Sequence, residues 1–309
     1  MKFDASRPVI AAKTLAAIDH ALELDQGNKY RELLRKTISL AEDAYRQDDH
    51  PFRAHLGASL IGKDCPRELW YSFRWTEKVR HQGRLLRLFN RGHLEEARFI
   101  ALLQLIGCEV WSQNINGTQF RILYHKDHFG GSCDCVARGI PDDPTTPILC
   151  EFKTHSDKSY NKVAKEGVRS AKFEHYVQMQ MYMGGLKLTR ALYLAVNKDN
   201  DAIYPELVDF DEEQFNKYLT RAEYVIFSVI PPKKVSESPG WFACKFCDFR
   251  NQCHANAAPN RNCRTCTSSV VESDGKWICS KHSKELDKQE QLAGCADYSV
   301  APAFTNRTS

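Results

Sequence analysis

The sequence predicts an α/β protein with a helical N-terminal cap and a cysteine-rich C-terminal tail. Two short apolar runs, Cys133–Ala137 and Ile148–Phe152, have the length and composition of neighbouring strands. Apolar residues recur at helical spacing on both sides of these runs, before residue 100 and again over Lys172–Leu186. More than half of the 12 cysteines lie beyond residue 240, and such clustering is typical of a metal-binding segment.

Length and composition predict about two domains, or one domain with large additions. The 309 residues are 42% hydrophobic, which is ample for a core. No apolar run approaches the roughly 20 residues that cross a bilayer, and the N-terminal residues do not resemble a signal peptide. We therefore expect a soluble protein of a reducing compartment, the cytoplasm, where many cysteines indicate metal rather than disulfides.

Four segments are expected along the chain. Helical patterns over Val9–Leu22 and Tyr30–Tyr45 predict a cap over residues 1–51. The α/β core follows over 52–230 and ends at Ile230-Pro231-Pro232, where a helix cannot continue. A cysteine-bearing segment over 231–258 and a second one over 259–309 complete the chain.

A basic stretch precedes the predicted strands. Because the net charge is only +4, nucleic-acid binding has to be argued from such local patches. From Arg80 onward the basic residues are three or four apart, a spacing that lines one face of a helix and suits a phosphate backbone. Its members are Lys78, Arg80, Arg84, Arg87 and Arg91, and the last four are predicted to bind DNA. The alternative is a solvated basic face over an aromatic core.

Aromatic residues lie just before this stretch, at Trp70, Tyr71, Phe73 and Trp75. Unpaired bases stack on such side chains, so these residues are candidates for contacts with single-stranded DNA. Under the alternative interpretation they form the core beneath the basic face. Proximity to His93 favours DNA.

Acidic residues lie at the ends of the two predicted strands. Asp134 belongs to the first strand and Glu151 to the second, with the Pro-rich connection Ile140–Pro147 between them. Residues two apart on a strand share a face, so Glu151 and Lys153 point the same way. Such a set can hold a divalent cation and position a water molecule. The alternative is a chance aspartate beside an ordinary surface strand.

A helix is predicted over Lys172–Leu186, with Gln178 and Tyr182 on one face because they are four residues apart. We expect these two side chains to orient the acidic residues or the DNA strand; the alternative is a polar surface. Further strands are predicted over Leu192–Val196 and Ile203–Phe210, and a closing helix over Glu212–Phe227.

The late cysteines form two sets. Cys244, Cys247 and Cys253 lie within ten residues and are one thiolate short of a four-ligand site. The second set predicts a zinc ribbon, because a hairpin with a two-residue turn at Asp274-Gly275 separates its members. These members are Cys263, Cys266, Cys279, His282 and Cys295. Cys108 and Cys150 are predicted to be ordinary buried thiols.

In order and spacing, His93, Asp134, Glu151-Phe152-Lys153 and Gln178 with Tyr182 resemble the site of the RecB-like branch of the PD-(D/E)xK nuclease superfamily. The resemblance implies a restriction-endonuclease-like core, a mixed sheet flanked by helices. It also implies that His93, Asp134, Glu151 and the Phe152 carbonyl bind Mg²⁺ or Mn²⁺, and that Lys153 orients or deprotonates water. Gln178 and Tyr182 belong to the same site. Cys133 and Cys135, which flank Asp134, depart from the family pattern.

A lone cysteine before the core and the spacing C-x₂-C-x₅-C after it resemble the iron–sulfur staple of AddB-type and CRISPR-adaptation exonucleases. The resemblance implies that Cys65, Cys244, Cys247 and Cys253 hold a [4Fe-4S] cluster. A zinc site with four cysteines is the alternative. Similar tails on phage-encoded nucleases favour Cys295 as the fourth zinc ligand, with His282 as an alternate ligand or a partner of one.

Together these features predict a metal-dependent DNA exonuclease that acts at ends or on single strands in recombination or repair. Since a Walker-type loop is missing from the sequence, any unwinding motor would be another polypeptide, a helicase. A single-strand annealing protein is a second expected partner, and a homo-oligomer is compatible with the sequence. The alternatives are a CRISPR-adaptation nuclease that trims spacers and a non-catalytic DNA-binding scaffold.

Overall fold

The structure is a computed structural model that describes residues 7–39 and 52–305. The chain forms two compact units, each built from three segments. Unit 1 comprises Met1–Gln47, His81–Ile122 and Gly131–Phe215. Unit 2 comprises Asp48–Arg80, Leu123–Gly130 and Asn216–Ser309. The division into four segments that we expect from the sequence stays a prediction.

Strands and helices alternate along most of the described chain. The strands are β1 (Val9–Ile10), β2 (Leu56–Gly57), β3 (Glu109–Trp111), β4 (Arg121–Tyr124), β5 (Phe129–Ser132), β6 (Cys135–Arg138), β7 (Ile148–His155), β8 (Arg190–Asn197), β9 (Ile203–Asp209), β10 (Ser269–Val271), β11 (Trp277–Cys279) and β12 (Lys284–Glu285). The helices are α1 (Ala12–Asp25), α2 (Asn28–Ile38), α3 (Pro66–Phe73), α4 (Gly83–Leu105), α5 (Asp157–Ala171), α6 (Phe173–Leu186), α7 (Glu212–Phe227), α8 (Phe242–Lys245), α9 (Arg250–His254), α10 (Lys288–Ala293) and α11 (Pro302–Thr305). None of the helices in the described part of the chain is long and apolar enough to cross a membrane.

Unit 1 is organised around a mixed sheet of six strands in the order β1-β9-β8-β7-β6-β3. Only β7 and β8 are parallel, and α5 and α6 form the crossover that a parallel pair requires. Phe152 points into the core, where its ring stacks on Phe99 of α4 with 5.0 Å between the ring centroids. This arrangement confirms the prediction of a mixed α/β fold with helices around a central sheet.

Several predicted boundaries in unit 1 need correction. Asp134 precedes β6 rather than lying within a strand, and β7 continues three residues beyond Phe152 to His155. Helix α5 has no counterpart among the predicted elements. The helix predicted over Tyr30–Tyr45 is α2, which ends at Ile38; the rest of that range reaches beyond the described residues.

The basic stretch does not form one helical face. Helix α3 ends at Phe73, and Trp75 then adopts a φ of 55°, so the chain leaves the helix before Lys78 and Arg80. Helix α4 begins only at Gly83 and carries Arg84, Arg87 and Arg91. The predicted helical placement of Lys78 and Arg80 is therefore wrong.

Unit 2 buries the aromatic residues that are candidates for base stacking. Trp70, Tyr71, Phe73 and Trp75 are each at most 2% exposed, so none of the four rings is available to a base. The indole of Trp70 donates a hydrogen bond to the Ser228 carbonyl at 2.8 Å. The alternative interpretation of these rings as core residues is the correct one.

The predicted tail hairpin is present, with β10 antiparallel to β11 and β11 antiparallel to β12. Its turn differs from the prediction, because Glu272 N–H bonds to the Lys276 carbonyl and leaves three residues between them. Gly275 has a φ of 100°, and a β-carbon there would lie 2.5 Å from the Lys126 carbonyl oxygen. Glycine is therefore required at this turn for two reasons.

A buried arginine connects the tail to the rest of unit 2. The Arg264 guanidinium lies 3.7 Å from the ring centre of Trp75 and 4.7 Å from that of Trp277. It donates to the carbonyls of Phe73 at 2.9 Å and Ala54 at 2.8 Å. Its five donors and flat face match such a site, which a lysine would not fill.

Candidate functional site

Strand register brings the predicted acidic residues together in unit 1. Strands β6 and β7 pair Cys135 with Cys150, so the next position along the ladder places Asp134 beside Glu151. Asp134 Oδ2 accepts a hydrogen bond from the Phe152 amide at 2.7 Å. The Lys153 ammonium donates to Glu151 Oε1. Glu151 is fully buried, yet its Oε2 has no hydrogen-bond partner among the described residues.

The two buried carboxylates and the one ammonium of this cluster shift one another's pKa values. Burial raises the pKa of Glu151 to about 7; Lys153 opposes that shift and Asp134 adds to it. Burial also raises the pKa of Asp134, against the opposing effects of Lys153, the Phe152 amide and His93. For Lys153, burial acts to lower the pKa, but Glu151 and Asp134 outweigh it and the pKa is raised. Two buried carboxylates thus share one ammonium, which favours the binding of a positive ion.

Helix α4 contributes His93 and a residue that the sequence interpretation missed. His93 Nδ1 lies 3.6 Å from Glu96 Oε1, one helical turn away. Glu96 lies near enough to Lys153 to raise its pKa. Glu96 is therefore a third carboxylate of the site, and its i,i+3 spacing from His93 is the sequence signal that could have identified it.

A cavity of about 420 Å³ opens beside these residues. Its walls come from α4, the end of β7 and the start of α6, and include Phe89, His93, Glu96, Lys153, His155 and His175. His155 and His175 were also missed by the sequence interpretation. His155 continues the alternation of Glu151 and Lys153 on β7, and His175 lies three residues before Gln178 on α6.

The hydroxyl of Tyr193 joins the two histidines. His155 Nε2 lies 2.8 Å from this oxygen and His175 Nδ1 lies 3.0 Å from it. His155 Nδ1 is also 3.2 Å from the Ser159 hydroxyl. Burial, helped by Lys172, Lys153 and Lys198, lowers the pKa of His155 to about 4. Burial lowers the pKa of His175 well below its usual range, with Lys153, His155 and Lys172 adding to the effect, so both imidazoles are neutral near pH 7.

Gln178 and Tyr182 lie on the same face of α6, as their spacing predicts. Both are buried, and Gln178 Nε2 lies 3.5 Å from the Tyr182 hydroxyl. Burial raises the pKa of Tyr182 well above its usual range; Glu151 adds to this, Gln178 opposes it and Asp134 also adds to it. The structure thus brings Tyr182 near the two carboxylates.

The donor types of this site fit a divalent cation, although no three of its His and carboxylate ligand atoms lie within 4.8 Å of one another. Carboxylates, a neutral imidazole and a backbone carbonyl are donors that Mg²⁺ and Mn²⁺ accept. The unpartnered Glu151 Oε2 is the decisive observation, since a buried carboxylate oxygen without a partner is costly. Asp134, Glu151, His93 and the Phe152 carbonyl are the candidate ligands.

Three exposed arginines follow the predicted helical face next to this cavity. Arg84, Arg87 and Arg91 are separated by three and four residues on α4. Leu88 and Gly92, which line the cavity, occupy the adjoining face of the same helix. Arg91 donates to the Lys198 carbonyl at 3.0 Å. Arg80 is exposed in unit 2, outside any helix.

In unit 2, four cysteines line one small cavity, as their spacing and the lone upstream cysteine imply. They are Cys65, Cys244, Cys247 and Cys253. Burial raises the pKa of Cys244, with Cys65 and Cys253 adding to the effect. His254 lines the same cavity, and its buried Nε2 has no partner among the described residues. Thiolates in such a set hold zinc or an iron–sulfur cluster.

The tail brings its candidate ligands into one region of unit 2. Burial raises the pKa of Cys263 to about 11, and Cys266, Cys295 and Cys279 add to the shift. Cys295 Sγ lies 3.8 Å from His282 Nε2, which is 3.3 Å from Asp297 Oδ2. Among the described residues, this trio alone places three candidate ligand atoms within 4.8 Å of one another. The structure thus brings His282 and Cys295 together.

Comparisons with known proteins yield only distant structural likenesses. No protein-family model matches the chain, and no curated protein matches it. Among solved structures, SSO0001 is similar at 19% identity over 72% of this chain and 95% of that chain, with a TM-score of 0.38. The alkaline exonuclease LHK-Exo from Laribacter hongkongensis is similar at 15% identity over 62% of this chain and 90% of that chain, with a TM-score of 0.39. The complex of LHK-Exo with dAMP is similar at 14% identity over 63% of this chain and 90% of that chain, with a TM-score of 0.39. At this level of similarity the matches carry no argument about activity.

Proposed function

We propose that this protein is a DNA exonuclease that depends on Mg²⁺ or Mn²⁺ and hydrolyses phosphodiester bonds at ends or in single strands. One observation supports the proposal most strongly. Glu151 is fully buried beside Asp134 and Lys153, and its Oε2 lacks a partner in the described part of the chain. A cluster of this kind is costly to fold unless a cation binds there, so its presence indicates chemistry rather than stability.

Each side chain has a definite task in this proposal. Asp134, Glu151, His93 and the Phe152 carbonyl would hold the ion. A bound divalent ion makes water acidic and offsets charge on the phosphate. The Phe152 amide fixes the rotamer of Asp134 through the 2.7 Å hydrogen bond. Lys153 orients the attacking water or deprotonates it, and its ammonium form donates hydrogen bonds to water or to a phosphate oxygen.

The surrounding residues position these groups and the DNA. Tyr182, held by Gln178, lies beside the carboxylates and restricts the access of bulk water to them. Arg84, Arg87 and Arg91 provide a positive edge beside the cavity for the phosphate backbone. Arg80 remains a proposed DNA contact on the strength of its charge and exposure. Three further expectations stay predictions from the sequence. They are a helicase or single-strand annealing partner, a homo-oligomer and a cytoplasmic location.

Unit 2 is proposed to carry two structural metal groups. Cys65, Cys244, Cys247 and Cys253 would hold a [4Fe-4S] cluster, and the cavity that they line together supports this proposal. Cys263, Cys266, Cys279 and Cys295 would hold zinc. His282, whose Nε2 lies 3.8 Å from Cys295 Sγ, is the alternate fourth ligand or a partner of one.

The test is degradation of end-labelled DNA by purified protein, with 5′-blocked, 3′-blocked and circular substrates. We expect Mg²⁺-dependent release of nucleotides from one free end and binding without turnover in Ca²⁺. Asp134→Asn and Lys153→Met should each lower the rate by about 10³-fold or more, because each acts on the ion or the water. The matched control is Asp19→Asn, at an exposed position of α1. Binding of DNA without metal-dependent products would contradict the proposal and indicate a non-catalytic scaffold.

A further inference from the structure

The cavity beside the carboxylates is larger than a metal ion and a water molecule require. Its volume of about 420 Å³ lies in the range of sites for small organic ligands. Glu96 is the carboxylate that lines it, together with His93 and Lys153. The lining also includes His155 at the end of β7 and Lys172 and His175 at the start of α6.

Two polar groups of Lys172 and His175 have no protein partner among the described residues. The Lys172 ammonium makes no hydrogen bond or ion pair with any of them. His175 Nδ1 is used by the Tyr193 hydroxyl, but His175 Nε2 bonds to none of the residues described. Lys198 adds a further positive charge close enough to lower the pKa of His155. A lysine and an imidazole N–H that face a cavity together match the oxygens of a phosphate.

The Tyr193 hydroxyl makes this arrangement rigid. It lies between His155 Nε2 and His175 Nδ1, at 2.8 Å and 3.0 Å, and the two imidazole planes are inclined by only 19°. Ser159 fixes the other side of the His155 ring. The His175 imidazole, held by the Tyr193 hydroxyl and stacked on His155, is therefore preorganised for a ligand, since little rotamer freedom is lost on binding.

The position of this cluster relates it to the acidic residues in unit 1. Glu151, Lys153 and His155 alternate on one face of β7, and each step of two residues advances about 6.6 Å. A phosphate near His155 and His175 would therefore lie one to two steps along the strand from the reacting phosphate. A nucleic-acid chain that enters the cavity meets both places in succession.

We propose that Lys172 and His175, with His155 and Tyr193 behind them, form a phosphate subsite that holds the phosphate neighbouring the scissile one. This inference rests on the proposed function and assigns that function a substrate feature. Both a terminal phosphate monoester and an internal diester have the required chemistry. Substrates that differ in one phosphate can distinguish the two.

Binding is measured first, without catalysis. Metal-free Asp134→Asn protein is titrated with inorganic phosphate, followed by phosphorus NMR and calorimetry. We expect saturable binding that is weakened about tenfold or more by Lys172→Gln or His175→Gln, because each removes one charged or preorganised donor. Lys165→Gln, at an exposed position of α5, is the matched control and should bind as the parent does. A parent that does not bind phosphate, or variants that bind as well as the parent, would overturn the inference.

Cleavage kinetics then identify the source of the phosphate. Oligonucleotides with a 5′-phosphate, a 3′-phosphate, or one neutral methylphosphonate beside the scissile bond are compared in Mg²⁺. The parent should lose about tenfold in kcat/KM on the substrate that lacks the recognised phosphate, whereas Lys172→Gln should not distinguish the substrates. Lys172→Arg should restore the preference, which separates loss of charge from misfolding. An equal preference in the parent and Lys172→Gln refutes the subsite even if the protein is a nuclease. Phosphate binding without any nuclease activity would refute the proposed function alone.

Discussion

The acidic cavity of unit 1 and the cysteine cavity of unit 2 are assembled in different ways. In the first, Glu151, Lys153 and His155 follow one another on β7, and strand register brings Asp134 beside them. In the second, Cys65 and Cys244 are 179 positions apart and meet only through tertiary packing. Regular secondary structure thus positions the acids, and long-range folding positions the thiols.

The two cavities also differ in what they do for the stability of the fold. Beside the acidic cavity, the buried Glu151 Oε2 has no partner among the described residues, and such a group weakens the fold without a ligand. The cysteine set would close a long loop of chain when all four thiolates bind one group, and such closure favours the folded state. Substitutions in the first region should therefore change rates, while those in the second should change folding.

The largest effect that sharpens this contrast is expected from Cys65→Ser. It should remove most iron and sulfide, bleach the brown absorbance and lower Tm by about 10 °C or more, since the loop is no longer closed. Metal analysis and calorimetry of anaerobically purified protein measure these changes. Cys108→Ser is the control, because that buried thiol bonds to the Gly139 carbonyl at 3.3 Å in unit 1. Zinc in place of iron in the parent would overturn the cluster assignment while leaving the nuclease proposal intact.

A smaller effect should distinguish the candidate tail ligands. Cys295→Ser should release the zinc of the tail, whereas His282→Gln should weaken zinc binding by about 10–100-fold if His282 only supports a ligand. Competition with a chromophoric chelator measures both. Lys281→Gln is the control, since it removes a neighbouring hydrogen bond to Asp297 but no candidate ligand. Complete loss of zinc in His282→Gln would make His282 a ligand itself.

The smallest expected effect concerns Arg84, Arg87 and Arg91, the basic edge of α4. Arg84→Gln with Arg87→Gln should reduce the slope of log affinity against log salt by about 0.7–0.9 for each phosphate that the protein no longer neutralises. Fluorescence anisotropy in Ca²⁺ between low and moderate salt gives that slope. Arg35→Gln, at an exposed position of α2, should leave it unchanged. An unaltered slope in the double variant would return both arginines to the solvated-surface interpretation.

Periodicity made much of unit 1 predictable. Strands β7, β8 and β9 and helices α6 and α7 agree with their predicted positions to within a few residues, because their apolar patterns are regular. Helix α5 was missed for a physical reason. It is polar, it buries little beyond Val163 and Val168, and Gly167 with a φ of 76° interrupts its pattern.

The limits of sequence interpretation are clearest around the cavity. Glu96, His155 and His175 come from α4, β7 and α6, so only the packing of three elements shows that they share one cavity. The aromatic residues from Trp70 to Trp75 show the opposite error. Their composition is equally suited to stacking on bases and to a core, and only burial decides between the two.

The division of each unit into three chain segments imposes an order of events during protein synthesis. All of unit 1 has left the ribosome once Phe215 has emerged, while unit 2 still lacks its final segment, Asn216–Ser309. Cys65 is by then already made, yet Cys244, Cys247 and Cys253 do not exist. At translation rates of about 5–20 residues per second, Cys65 waits on the order of ten seconds or more for its partners. If the cysteine cavity holds a metal group as proposed, that group is inserted after His93, Asp134 and Glu151 have been synthesised. The Cys65 thiol must stay reduced until then.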